Sequence, residues 1–187
     1  MRWVLVLLLL ATLVVLGAFG RAGSPKPPPN ITLLSFAGVQ QGGSGTYCWQ
    51  SVCVDMVGVV FASQPLVVAA GEVVRLDFSK LGRLAHAEYQ LYRYERAVNQ
   101  LGVRGEQLIL PVEQSAVKQG TLPREPIASI WLDVPPGRYV LTVFATAGAD
   151  SHHARGDTTQ GFNLEVGPGA ATAGPVPPGR RGENCRP

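Results

Sequence analysis

The sequence predicts an all-β domain built as a sandwich of two antiparallel sheets. Three observations lead to this prediction. Short apolar runs alternate with turn residues through most of the chain. The 187 residues include 22 Gly and 15 Pro, and only 16% are charged, a balance that suits many turns better than long helices. The runs are spaced for about eight or nine short strands, which is typical of two packed antiparallel sheets.

The chain divides into four regions. Residues 1–21 form a signal peptide or membrane anchor, 22–30 a Pro-rich spacer, 31–166 the sandwich domain and 167–187 a tail. The tail consists mostly of Gly, Pro, Ala and Arg. It cannot bury enough apolar surface to offset the entropy lost on ordering, so we expect it to be disordered.

The N-terminal region predicts export. Residues 3–20 are all apolar or small and lie between Arg2 and Arg21. A cleaved signal peptide fits the positive charge in front of the run. An uncleaved membrane-anchoring helix fits its length, which spans about 27 Å and approaches the thickness of a bilayer core. Both alternatives place the rest of the chain at the outer face of the cytoplasmic membrane, in the periplasm or outside the cell.

Alternation of apolar and polar residues predicts the strands in the first half of the domain. Strands are predicted at 31–36, in both arms of a cysteine hairpin, and at 57–61, 65–69 and 73–78. The last of these has the clearest pattern, because Val74, Leu76 and Phe78 share one face while Arg75 and Asp77 share the other. This pattern predicts a half-buried strand.

The second half begins with a region that fits two structures. Residues 80–100 have partly helical spacing, but the aromatic content of 89–94 favours a strand. We therefore predict a strand at 88–95 and another at 107–112. Strands at 130–134, 139–146 and 161–166 follow. The strand at 139–146 is apolar on both faces, so we expect it to be central and covered on both sides, with 161–166 antiparallel to it.

Two cysteines lie close together in the stretch GTYCWQSVCVD at 45–55. If both flanking segments are strands, residues 49–52 form a tight loop and the Cys48 and Cys53 sulfurs face each other. A structural disulfide is the expected state of such a pair in an exported protein. The alternative is a redox-active or metal-binding pair, although redox pairs usually have C-x-x-C spacing at the start of a helix.

Three residues of this hairpin are candidates for a binding surface. Tyr47, Trp49 and Asp55 could line a surface for a small molecule or glycan, since an exposed aromatic ring offers a stacking face. The alternative interpretation is that Tyr47 packs in the core and Trp49 shields the disulfide.

A weaker candidate for metal binding lies between the last two strands. His152 and His153 could bind a divalent metal weakly, although a solvated loop is the simpler interpretation. Cys185 in the tail is either a cross-link to a partner or a free thiol. We expect no cofactor.

Two segments resemble known proteins. The strand from Pro136 to Val143, followed by the strand at 161–166, resembles the closing hairpin of immunoglobulin-like bacterial surface domains. The G-x-Y-C-W…C-x-D segment at 45–55 resembles one found in uncharacterised bacterial exported proteins. The resemblance implies an immunoglobulin-like antiparallel β-sandwich over 31–166. The immunoglobulin disulfide joins strands that are distant in sequence, so it has no counterpart in Cys48 and Cys53.

The sequence predicts a protein that is not an enzyme. It has no G-x-S-x-G elbow, no H-E-x-x-H and no phosphate-binding Gly loop. A net charge of +3 without a basic stripe argues against nucleic-acid binding. We expect a non-catalytic binding or structural module of the bacterial cell envelope, with a protein or glycan partner and with membrane contact through 3–20 if that segment is uncleaved. The alternative is an envelope metal-binding or thiol-redox protein that uses Cys48 and Cys53.

Overall fold

The computed structural model describes residues 26–56, 58–94, 107–108, 115–149 and 155–168, with only the backbone described at 107–108. This part of the chain is all-β, as predicted: it contains thirteen strands and a single short 3-10 turn at Ser79–Leu81. It includes no helix of the length and apolarity needed to cross a membrane. The predicted targeting helix at 3–20 and most of the predicted disordered tail lie outside the described residues.

The strands vary in length from two to twelve residues. In chain order they are β1 (Thr32–Leu34), β2 (Val39–Gln41), β3 (Gly43–Trp49), β4 (Val52–Val54), β5 (Val59–Val60), β6 (Leu66–Ala69), β7 (Val73–Asp77), β8 (Arg83–Arg93), β9 (Gln107–Leu108), β10 (Lys118–Thr121), β11 (Ile127–Trp131), β12 (Gly137–Gly148) and β13 (Gly156–Gly167).

The strands form two main sheets and one small one. The smaller main sheet has the order β11-β7-β1-β2 and is antiparallel. The larger has the order β10-β8-β12-β13-β3-β4, and β6 also joins it beside β13. The edge of β13 is shared: β3 pairs with its first half in antiparallel fashion, and β6 pairs with its last four residues in parallel. β5 and β9 form a separate pair.

The core lies between the two main sheets. Val74 and Leu76 of the smaller sheet and Leu141 and Val143 of the larger sheet are fully buried in one apolar cluster. The predicted face of 73–78 is confirmed, since Phe78 is also fully buried and Arg75 is exposed. Alternation drives this packing, because successive side chains of a strand point to opposite faces and only one face meets the partner sheet.

The predicted central strand is confirmed. β12 lies between β8 and β13, and its outward-facing Val140 and Thr142 are buried as well as its core face. β13 runs antiparallel to it, as predicted, and pairs with it over eleven residues. The pairing begins at Gly156, five residues before the predicted start of this strand.

Other strand boundaries differ from the prediction. The region 80–100 contains a strand and not a helix, and this strand, β8, starts at Arg83. The strand predicted at 130–134 occupies Ile127–Trp131 instead. The chain leaves the sheet at Leu132, whose N–H donates to Glu72 O and whose carbonyl accepts from Gly71 N–H, so this residue is held by the β6–β7 turn. The strand predicted at 31–36 ends at Leu34.

The Pro-rich spacer is attached to the domain at its C-terminal end. Pro28 is buried, and the buried Gln160 holds the chain on both sides of Asn30. Its Nε2 donates to Pro29 O at 2.9 Å, and its Oε1 accepts from the Ile31 N–H at 2.7 Å. The predicted spacer of 22–30 therefore includes residues that pack as part of the domain.

Candidate binding site

The cysteine hairpin has the predicted form. β3 and β4 are joined by a two-residue turn, Gln50 and Ser51, and Cys48 lies directly opposite Cys53. The two sulfur atoms are 2.11 Å apart, which is bonding distance for a disulfide. Gln50 has φ +58°, in the left-handed region that favours glycine. The turn therefore carries some backbone strain.

The aromatic residues of the hairpin face the core. Trp49 is only 4% exposed and belongs to the main core. It lies opposite Gly156, where a Cβ atom would come within 2.6 Å of Trp49 Cε3. Tyr47 is partly buried and packs against the same core. Of the three predicted residues only Asp55 is exposed, and its Oδ1 accepts a long hydrogen bond of 3.4 Å from Thr46 Oγ1.

The disulfide lies on the other side of the sheet from the core. Cys48 alternates with the inward-facing Tyr47 and Trp49, and Cys53 is exposed. The Asp157 carboxylate accepts a hydrogen bond of 3.1 Å from the Cys48 backbone N–H. This hydrogen bond fixes the hairpin to β13 beside the disulfide.

The remaining predicted candidates are not placed by the structure. His152, His153 and Cys185 lie outside the described residues. Among the residues that are described, no group of three His, Cys, Asp or Glu side chains could hold a metal ion.

The strand register aligns polar side chains on the outward face of the larger sheet, which we call the outer face. One row across the strands consists of Glu88, Phe144 and Thr159, which lie directly opposite one another on β8, β12 and β13. A neighbouring row contains Gln90 and Thr142. The row on the other side is His86, Thr146, Asp157, Cys48 and Cys53.

The outer face carries an open groove of about 240 Å³. We call it the Phe144 groove, and its lining residues are Glu88, Tyr89, Gln90, Thr142, Phe144 and Thr159. The Phe144 ring thus lies among a carboxylate, an amide and two hydroxyl groups, and Tyr89, which packs against the core, completes the lining. By register, Cys48 lies opposite Asp157, in the row next to that of Thr159.

Hydrogen bonds orient the polar groups of the groove. Tyr92 Oη donates to Gln90 Oε1 at 2.5 Å, and Thr142 Oγ1 donates to the Gln90 carbonyl at 3.4 Å. Burial raises the pKa of Tyr92, so its hydroxyl stays protonated and able to donate. His86 Nε2 lies 3.4 Å from Glu88 Oε2, and both side chains are close to half exposed.

A chain segment closes one side of the outer face. Val59 and Phe61 pack with Val140 of β12 in a second apolar cluster. This segment, residues 58–61, lies directly on the sheet. The close approach is possible because the residue beneath it is Gly161, which has no side chain. A Cβ atom there would lie 2.6 Å from Val59 Cγ2 and 2.9 Å from Val60 O. Gly161 lies directly opposite Thr142, which lines the groove, so this segment borders the groove.

Comparisons with known proteins give no family for this chain. No family model matches it, and no curated protein is significantly similar to it in sequence. The geometry of the outer face is therefore the basis for a functional proposal.

Proposed function

We propose that this protein is a non-catalytic, exported binding module of the bacterial cell envelope whose ligand binds in the Phe144 groove. The observation that carries the proposal is the composition of this groove. Binding sites typically combine an apolar or aromatic surface with a few convergent polar groups. The groove has that composition, with the Phe144 ring beside Glu88, Gln90 and two threonine hydroxyls.

The strand order supports an immunoglobulin-like architecture for this module. The order β11-β7-β1 in one sheet and β8-β12-β13 in the other corresponds to strands E-B-A and C-F-G of that fold. Tyr139, at the start of β12, donates to Pro135 O at 2.7 Å, which is the arrangement of a tyrosine corner. The segment from β2 to β5 is an insertion relative to this pattern.

The disulfide supports export. Disulfides persist in oxidising compartments such as the periplasm and the cell surface, and Cys53 is exposed to the solvent. The same exposure is the observation that favours the alternative function, a thiol-redox protein using Cys48 and Cys53. An equilibrium titration against glutathione separates the two, since a structural disulfide resists the glutathione pool whereas a redox pair exchanges readily with it.

Site-specific cross-linking in cells tests the binding proposal. A photoreactive amino acid is placed in the full chain at Thr159, in the groove. The matched control carries it at Ser129, which is exposed on the outward face of the smaller sheet. We expect a cross-linked adduct from position 159 and none from position 129. Equal yields at both positions, or no adduct at 159, would contradict the proposal.

A further inference from the structure

We propose that the Phe144 groove binds one neutral sugar unit of a glycan, an inference that rests on the proposed binding function of this groove. Its size supports a small ligand. The volume of about 240 Å³ is below the roughly 300–1,000 Å³ of sites for drug-sized molecules. A single pyranose ring suits such a groove better than a peptide segment with several side chains.

The aromatic surface fits one face of a sugar ring. Phe144 lies on the middle strand of the groove, between Glu88 and Thr159, and the His86 ring lies 6.3 Å from it, centroid to centroid. The face of an aromatic ring is electronegative. It therefore attracts the weakly positive C–H groups that line one face of a pyranose.

The polar groups fit the hydroxyls of such a ring. A sugar hydroxyl both donates and accepts, so a matching site needs acceptors and donors side by side. Glu88 supplies a carboxylate acceptor. The Gln90 Oε1 atom is already occupied by Tyr92 Oη, so the Nε2 atom is the donor that this amide offers. Thr142 Oγ1 already donates to the Gln90 carbonyl, so it offers an acceptor, and Thr159 adds a hydroxyl that can act either way.

The charge of the groove selects against acidic sugars. Glu88 is a carboxylate in the groove, and Asp157 lies one row away on the same face. The side chain next to Glu88 on its own strand is His86, whose Nε2 lies 3.4 Å from Glu88 Oε2. Two carboxylates on this face repel a uronate, whereas the matching neutral hexose has no such penalty.

Calorimetric titration of the full chain, held in a non-glycosidic detergent, tests the inference. The probes are the methyl glycosides of glucose, galactose and mannose and the corresponding uronic acids. We expect at least one neutral glycoside to bind with a millimolar Kd, and its uronic acid to bind about fivefold more weakly or worse. Phe144→Leu should weaken binding of the neutral glycoside about threefold to tenfold.

Two further variants make the test specific. Glu88→Gln should reduce the ratio of the uronate Kd to the neutral glycoside Kd. A variant that fails to fold would bind neither sugar, so it could not give this result. Ser129→Ala, on the opposite sheet, should leave both affinities unchanged. The inference is wrong if no neutral glycoside binds, if uronates bind equally well, or if Phe144→Leu binds like the wild type.

The cross-linking experiment separates this inference from the proposed function. An adduct at position 159 without sugar binding would overturn the sugar inference and leave the binding module in place, with another class of ligand. The absence of both an adduct and sugar binding would overturn both.

Discussion

Replacing Gly161 by alanine puts a methyl group between β13 and the chain segment that closes the groove. The new Cβ atom would lie 2.6 Å from Val59 Cγ2 and 2.9 Å from Val60 O. Real Cβ atoms do not approach other heavy atoms so closely, so either the strand or the segment must move. Because one of the obstructing atoms belongs to the backbone, rotation of a side chain cannot relieve the overlap.

The expected loss is about 1–3 kcal/mol in the free energy of unfolding, the usual result of adding a methyl group to a packed region. Urea unfolding at equilibrium measures it, and the melting temperature should fall by about 2–4 °C for each kcal/mol in a protein of this size. Gly148→Ala is the matched control. The nearest atom to its new Cβ would be Arg83 O at 3.8 Å, an ordinary contact, so we expect a change within about 0.5 kcal/mol.

A double-variant cycle identifies the source of the loss. Val59→Ala removes the side-chain atom nearest to the new methyl group. Its combination with Gly161→Ala should be less destabilising than the sum of the two single changes, with a coupling energy of about 0.5 kcal/mol or more. If Gly161→Ala is as stable as Gly148→Ala, the 58–61 segment does not lie on β13 and the closed side of the groove is misplaced.

Three further predictions concern the hairpin and the acid stability of the sheet. Replacing Cys48 and Cys53 by alanine should lower the free energy of unfolding by about 2 kcal/mol, because the bond closes a short loop, and urea unfolding with and without reductant should show that only the wild type responds to reduction. Gln50→Gly should stabilise the hairpin by up to about 1 kcal/mol, since glycine adopts φ +58° without strain; an unchanged melting temperature would contradict this. Two hydrogen bonds from Ser79 lower the pKa of Asp77, so the charged form stabilises the fold above the unfolded pKa, and this stabilisation is lost as the pH falls through the folded pKa. Asp77→Asn should therefore lose less stability than the wild type below about pH 4 in thermal melts.

The sequence was most informative where structure is set by alternation within one strand. Val74, Leu76 and Phe78 are buried as predicted, because a period of two selects one face without any knowledge of the partner. The central position of β12 was also predictable, since both of its faces are apolar. Pairing between distant strands was not predictable in this way. The edge of β13 is shared by β3 and β6, and no local pattern encodes that register.

The candidate site also combines features that alternation within one strand predicts with features that depend on pairing between distant strands. Strand alternation places Tyr47 and Trp49 on one face of the sheet and Cys48 on the other. It does not say which of these two faces meets the core. The structure shows that the aromatic residues face the core. The Phe144 groove was missed because Glu88 and Thr159 come from strands that are far apart in sequence. They meet only through pairing with β12.

We propose that the outer face of the larger sheet is the ligand-binding surface. Threonine-methyl NMR of the full chain tests it most directly, because this sheet face carries Thr142 and Thr159 in the groove, while Thr32 lies on the other sheet. On addition of the neutral glycoside that binds most tightly, we predict that the signals of Thr142 and Thr159 shift and that of Thr32 does not. Shifts confined to Thr32, or equal at all three positions, would contradict the claim.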